Sequence, residues 1–318
     1  MQKSVATSIT DPHPDEALQQ VIAATGEIIL GKERVIRLAL SCLIARGHLL
    51  LEDLPGVGKT TLVHTLARVL GLDFHRIQFT SDMLPADILG VSVYDQERAR
   101  FQFHPGPIFS QVILADEVNR ATPKAQSALL EAMEEYQVTT EGATHPLPTP
   151  FFVIATQNPA NQIGTFPLPE SQLDRFLMRL HLGNPDHAAE RALLTGSDRR
   201  ELLKALPAVM NPDELCALQA RVTKIHAAEA IIDYLQALLA FSRESPLYRN
   251  GLSPRAGLAL LRCAQAWALL AGRDHVIPED VQAVLPGVVN HRLQAAPEHH
   301  LQSSDEQVAA LLQAVPVS

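Results

Sequence analysis

The run Asp53-Leu54-Pro55-Gly56-Val57-Gly58-Lys59-Thr60-Thr61, directly behind the apolar stretch His48-Leu49-Leu50-Leu51, constrains this chain more than any other feature. A strand, a glycine-bearing loop and a Lys-Thr pair opening a helix together form a cradle for nucleotide phosphates. Gly56 and Gly58 let backbone N–H groups crowd around anionic oxygens with no Cβ in the way. Lys59 brings a positive charge to the β- and γ-phosphates, and Thr60 offers a hydroxyl to Mg²⁺. The helix that follows, marked by Leu62, Leu66 and Leu70 at helical spacing, points its positive end at the same place. The pattern G-x-x-x-x-G-K-[ST] is met except at Asp53, which stands where the first Gly belongs. A carboxylate beside a triphosphate is repelled, so Asp53 is expected to point away from the ligand.

Short apolar strand candidates recur at His48–Leu51, Phe74–Phe79, Val112–Ala115, Phe151–Ala155 and Phe176–Leu182. Helical segments lie ahead of the first of them (Glu16–Leu30, Lys32–Arg46) and between others (Gly58–Leu70, ended by Gly71, and Pro123–Glu135). In the last of these Thr122 is the expected N-cap, with Pro123 at the first helical position. Strands alternating with helices predict an α/β fold, a mostly parallel sheet with helices on its faces.

Two segments break that rhythm. Val91-Ser92-Val93-Tyr94 and Arg100-Phe101-Gln102-Phe103 alternate with period two around a polar turn, which predicts an inserted β-hairpin. Gln137–Thr140 and Ala143–His145, around Glu141-Gly142, predict a second. After Asn184-Pro185 the strand signal stops. The expected helices there are Pro212–Glu229, Ile231–Arg243, Pro254–Leu270 and Pro278–Val289, and Ser304 with Gln307 is the expected capping box of a last short helix. The chain therefore divides into a flexible N-terminal segment 1–14, a nucleotide-binding core 15–185 and a smaller all-α domain 186–318.

At 318 residues the chain is long enough for two domains, and 47% hydrophobic with 19% charged residues describes a folded, soluble protein. A formal net charge of −9 with no long basic block argues against non-specific binding to nucleic acid or a membrane surface. Cys42, Cys216 and Cys263 lie far apart in apolar segments and read as reduced thiols of a cytoplasmic protein. No signal peptide and no membrane span is expected.

Beyond the loop, four places carry chemistry. Val112–Ala115 delivers Asp116-Glu117 at the end of an apolar strand, where open α/β sheets bind ligands. Asp116 is the expected holder of Mg²⁺ through its water shell, and Glu117 the group that polarises an attacking water. That second carboxylate favours hydrolysis over transfer to a small molecule. Asn158, in Ala155-Thr156-Gln157-Asn158-Pro159, ends another strand and can orient the water against Glu117. Arg175, in Leu173-Asp174-Arg175-Phe176, can reach a neighbouring subunit's γ-phosphate, with Arg179 a nearby competitor. Arg255 follows Ser253-Pro254 in a helix's first turn, where a cation opposes the helix dipole unless an anion compensates. It is expected to reach the bound nucleotide from above.

Together with Asp116-Glu117-Val118-Asn119-Arg120-Ala121 and Gly164-Thr165-Phe166-Pro167-Leu168-Pro169-Glu170, these motifs resemble MoxR-type AAA+ ATPases, from about Gly31 to Leu293. The phrases Phe79–Asp87 and Phe103–Phe109 resemble that family and little else. The resemblance implies an αβα nucleotide domain, an α-helical lid and a ring, usually a hexamer, with ATP at subunit interfaces. Lys59, Thr60 and Asp116 then contact phosphate and Mg²⁺. Glu117 completes the acidic pair, Asn158 is sensor 1, Arg175 the trans-acting finger and Arg255 sensor 2. An acidic residue at the position of Asp53 is seen in this family's loop too. The hairpins match insertions of a wider clade that holds magnesium-chelatase ATPase subunits and replicative helicases.

Proteins similar to MoxR are chaperone-like, often paired with a partner that carries a von Willebrand factor A domain, sometimes for metal insertion. Three rivals stand beside a protein-remodelling ATPase. A DNA-dependent motor or loader would need basic hairpin tips; here the first carries Asp95, Glu97, Arg98 and Arg100, the second Glu141 and His145. A P-loop small-molecule kinase has no use for Glu117, Asn158 and Arg175. A nucleotide-gated scaffold that barely turns over is compatible with the sequence.

Overall fold

The structure is a computed structural model and describes residues 14–158, 165–296 and 303–317. The N-terminal segment up to His13, with Pro159 and Gly164 of the motifs, lies outside the described residues. Helices α1 (Pro14–Ile28) and α2 (Glu33–Ile44) lead into β1 (Leu49–Glu52), α3 (Lys59–Val69) and β2 (Phe74–Gln78). A short α4 (Pro85–Leu89) precedes the hairpin β3 (Gly90–Asp95) and β4 (Arg100–Pro105). Then come β5 (Val112–Asp116), α5 (Pro123–Glu135), the hairpin β6 (Gln137–Thr140) and β7 (Ala143–Pro146), β8 (Phe152–Gln157), α6 (Glu170–Leu173) and β9 (Met178–Leu180).

The five strands β1, β2, β5, β8 and β9 form one parallel sheet in the order β2-β5-β8-β1-β9. Its three inner strands are apolar on both faces, because helices cover both. Leu49 and Leu51 of β1, Val112 and Leu114 of β5, and Phe152 and Ile154 of β8 pack with the α1–α3 side. Leu50, Ile113, Ala115, Val153 and Ala155 turn the other way, onto α4 and α5. That alternation is the period of two of a strand, with a hydrophobic layer on each side.

Helices follow β9: α7 (His187–Thr195), α8 (Arg199–Ala205), α9 (Pro212–Val222), α10 (Glu229–Glu244), then, after β10 (Tyr248–Asn250), α11 (Pro254–Leu270) and α12 (Pro278–Val289), and, after β11 (Gln294–Ala295), α13 (Ser304–Ala314). Buried side chains of α11 and α12 join the same hydrophobic cluster as α1 and α2, so this helical lid packs directly on the core. Gly287 of α12 lies close to β9; a Cβ there would stand 3.1 Å from Leu180 Cδ2.

Both expected hairpins are present, and α5 begins as expected, with Thr122 Oγ1 accepting from Ala125 N at 3.5 Å. Four details differ. The helix expected over Pro212–Glu229 ends at Val222, and α10 starts afresh at Glu229. Helices α7 and α8 open on side-chain caps from Asp186 and Asp198 that the apolar spacing did not mark. The lid is not purely helical, since β10 and β11 pair antiparallel. The last capping box is Ser303 with Glu306, one residue earlier than expected. All three cysteines are free.

Candidate nucleotide site

The loop after β1 is shaped as its glycines predict. Gly56 and Gly58 hold φ of +90° and +100°, and a Cβ on either would meet nothing within 4 Å. The positive φ, not crowding, requires glycine, and the space in front of the loop stays open. Gly58 is the N-cap of α3, so the first helical N–H groups face that space. Lys59 is buried at the helix start, and its Nζ donates to Asp53 O at 2.5 Å and Leu54 O at 3.0 Å. Burial pushes its pKa down, while the carboxylates of Asp53, Asp116 and Glu117 pull it up.

Asp53 points away from the cradle, as expected. Its Oδ2 accepts from Leu182 N and from Gly183 N, the latter at 3.2 Å. The carboxylate thus ties the start of the phosphate loop to the segment that leaves β9 for the lid.

Register brings the rest of the site to the same sheet edge. Leu51 pairs with Thr156, and Gln78 with Asp116, so the ends of β1, β2, β5 and β8 converge. Asp116 is buried. Its Oδ1 accepts from Thr156 Oγ1 at 2.6 Å, and its Oδ2 from Arg76 Nε at 3.0 Å and Nη2 at 2.5 Å. Glu117 adopts φ +58°, a left-handed backbone unusual for a residue with a side chain. Its amide donates to Thr156 Oγ1 at 2.9 Å. Its carboxylate receives Asn158 Nδ2, Gln78 Nε2 and Arg120 Nε, each at 3.0 Å.

Thr156 therefore holds both members of the acidic pair, and Arg76, Gln78 and Arg120 complete the surround. Sequence reasoning assigned no role to these four. Thr156 and Arg120 lay inside quoted motifs, whereas Arg76 and Gln78 sit on β2, a strand expected over Phe74–Phe79 whose polar residues carried no motif. The donors fit the nucleotide and its ion: open N–H groups with a lysine for phosphate, and the hard oxygens of Thr60 and Asp116 for Mg²⁺.

The arginines stand elsewhere. Arg175 Nη1 donates to Leu130 O at 2.7 Å and lies 2.9 Å from Glu134 Oε2. Arg255 Nη2 lies 3.2 Å from Glu134 Oε1, and its Nη1 3.9 Å from Asp174 Oδ2. Glu134 is at the end of α5, and its neighbour Met133 O is 3.0 Å from His48 Nε2, just before β1 begins. The three residues thus lie at the N-terminal edge of the sheet, opposite the phosphate loop. They border a cleft of about 310 Å³ that Arg46, Arg262 and Arg292 also line. The expected reach of Arg255 over the chain's own nucleotide is not made, because the anions that offset its place in the first turn of α11 are Glu134 and Asp174. Arg179 is partly buried between core and lid, 3.6 Å from Glu52 Oε2 and donating to Asn290 O at 2.6 Å. Its burial lowers its pKa.

Residues 48–178 match the model of the ATPase family associated with various cellular activities (AAA), and residues 240–311 match an AAA lid domain. Over 288 residues the chain is 45% identical to uncharacterized protein YeaC of Bacillus subtilis, covering 91% of this chain and 89% of YeaC. It is 40% identical to Chaperone MoxR1 of Mycobacterium tuberculosis over 290 residues, 87% of this chain and 75% of MoxR1. The crystal structure of an ATPase candidate from Cytophaga hutchinsonii superposes with a TM-score of 0.86 at 36% identity, covering 96% of both chains. With the parallel sheet, the glycine cradle, the acidic pair and the helical lid in place, the chain belongs to the MoxR family of AAA+ ATPases.

Proposed function

We propose that this chain is a ring-forming, ATP-hydrolysing remodelling factor that acts on a protein client, with residues 15–185 as the motor core and 186–318 as the lid. Pro55, Gly56, Val57, Gly58 and Thr61 wrap the phosphates, and Lys59 exchanges its loop carbonyls for phosphate oxygens. Thr60 and Asp116 hold Mg²⁺, which neutralises phosphate charge when bound. Glu117 takes the proton of the attacking water, and Asn158 fixes the carboxylate that does so. The observation that carries this reading is the geometry of Glu117. A carboxylate offers about four acceptor positions. Asn158, Gln78 and Arg120 use three, which leaves one for a water O–H. A small-molecule kinase needs no such base at that place.

Arg175 and Arg255 face away from the chain's own loop, so each serves the ATP of a neighbouring copy, while the guanidinium of Arg292 in the same cleft is taken up by Asp174 and backbone carbonyls. That requires head-to-tail contact between copies, and the family resemblance makes a closed ring, usually a hexamer, the expected form. Arg179, tied between core and lid, does not fill this role. A protein client is favoured by the first hairpin, where Val91, Val93, Tyr94 and Phe101 are exposed. Apolar side chains there suit a polypeptide, not a phosphate backbone. A partner with a von Willebrand factor A domain and a task in metal-cofactor insertion follow from the family resemblance alone, and a cytoplasmic setting from the three unpaired cysteines. Among the described residues no helix is long and apolar enough to cross a membrane.

The test is phosphate release with no acceptor present, alone and with each of two additions: a co-encoded protein carrying a von Willebrand factor A domain, or single- and double-stranded DNA. Turnover that rises and co-elution with the protein support the reading. Stimulation by DNA alone at moderate salt overturns it in favour of the helicase-like rival.

A further inference from the structure

We propose that Arg292, in the lid, is the positioning residue that sets Arg175 for the neighbouring subunit's site. The proposal rests on the trans role of Arg175 given above.

Arg175 sits on a tight turn between α6 and β9. Asp174 N reaches Glu170 O at 3.0 Å, Arg175 N reaches Gln172 O at 3.2 Å and Phe176 N reaches Leu173 O at 3.1 Å. A one-turn helix of four residues is too short to fix that turn by itself. Arg292 does so from the far side of the domain boundary. Its side chain is only 6% exposed. Nε donates to Asp174 Oδ1 at 2.6 Å. Nη2 donates to Asp174 O at 3.2 Å and to Phe176 O at 2.8 Å. Nη1 donates to Leu177 O at 3.2 Å and to Val288 O, near the end of α12, the helix just before it. The next-door His291 adds Nε2 at 3.0 Å from Phe176 O.

One planar guanidinium thus holds the backbone on both sides of Arg175. A lysine has no fork to reproduce this, only a point charge on a flexible stem. Arg292 belongs to the lid and Arg175 to the core. A shift of α12 against the sheet therefore moves the turn that bears Arg175. The lid state of one subunit is then felt at the ATP of the next. Misplacing a catalytic group by about 1 Å can cost on the order of 10²-fold in rate, so a small shift is enough.

A clamp that merely holds the lid on would look the same in the structure. Mixed rings separate the two, because a positioning defect shares the fate of Arg175. Arg292→Gln and, as the milder change, Arg292→Lys are purified, and ring assembly and labelled-ATP affinity are measured for each. The expected result is an assembled ring that binds ATP within about two-fold of the parent and hydrolyses it about 10²-fold more slowly. Mixed with Glu117→Gln subunits, which carry an intact Arg175, the Arg292 variants regain turnover. Mixed with Arg175→Ala subunits they do not. Recovery with Arg175→Ala, an undiminished rate, or loss of ATP affinity equal to the loss of rate overturns the proposal. So does failure with both mixing partners while Arg175→Ala and Glu117→Gln rescue each other. If that last pair fails to rescue, the trans reading of Arg175 falls first, and this inference with it.

Discussion

Arg175 lies 2.9 Å from Glu134, at the edge of the sheet opposite the phosphate loop of its own chain. Arg255 shares the same carboxylate at 3.2 Å. In the proposed reading, these two cations, converging on one acidic side chain away from the chain's own phosphate loop, are half of a shared site. The other half is Lys59, Asp116, Glu117 and Asn158, at the opposite edge. On that proposal each copy carries both halves and completes neither alone. A heterologous, head-to-tail contact between copies is the arrangement that joins them, and repeated around an axis it closes into a ring.

The two ends of the phosphate loop's chemistry come apart by substitution. Lys59→Ala removes the buried cation that faces phosphate in the ground state and is expected to abolish ATP binding. Glu117→Gln keeps the shape and loses the base, so ATP affinity stays near that of the parent. Hydrolysis falls by about 10²- to 10⁴-fold, the usual worth of a positioned base. Labelled-ATP binding and phosphate release on both proteins check this. A Glu117→Gln protein that turns over at the parental rate removes the catalytic assignment.

Asp53 is a structural carboxylate. Replacing it by Gly restores the complete loop pattern, yet it strips Leu182 N and Gly183 N of their acceptor. Leaving buried donors unpaired costs about 1–3 kcal/mol. Asp53→Gly is therefore expected to unfold at lower denaturant and to bind ATP no better than the parent. A stabilised protein or a gain in affinity contradicts the reading of this residue.

Acid weakens the fold through His48. Nε2 donates to Met133 O and Nδ1 accepts from Val153 N, so the buried ring is neutral, and burial holds its pKa down at about 4. The unfolded chain takes the proton near pH 6.5. The contribution of His48 is thus complete above that value and is lost as pH falls from 6.5 toward 4. At about 1.4 kcal/mol per unit, the loss comes to about 3 kcal/mol. Buried His291 is held well below its usual value as well and adds to the slope. Glutamine can offer the same acceptor and donor, so His48→Gln should flatten the pH dependence of denaturant unfolding across that window. An unchanged slope would set His48 aside as the cause.

Much of the fold could be read from the chain because β1, β5 and β8 are buried on both faces. Apolar runs mark such strands, and the glycine loop, Asp116-Glu117 and Asn158 follow directly at their ends. The hairpins showed for the opposite reason, since their exposed strands alternate. What the sequence hid is long-range pairing. Arg76 reaches Asp116 across a register that joins two strands 40 residues apart; the strand itself was expected over Phe74–Phe79, but nothing in its residues says which strand it pairs with. The position of Arg255 was equally hidden: a Ser-Pro start fixes where α11 begins, not which edge of the sheet it faces. The capping box slipped by one because Ser303-Ser304 and Glu306-Gln307 fit the same template in two registers, and geometry selects Ser303.

The central claim, a catalytic site shared between copies, is tested most directly by mixing. Arg175→Ala and Glu117→Gln subunits are each prepared inactive, dissociated, combined in equal amounts and reassembled, and phosphate release is measured against each protein alone. Random assembly places an intact Glu117 opposite an intact Arg175 at about a quarter of interfaces. An arginine in trans is worth about 10³- to 10⁵-fold in rate. The account predicts that the mixture regains turnover well above the sum of its parts. Demonstrably mixed rings that stay as inactive as the separate proteins would contradict it.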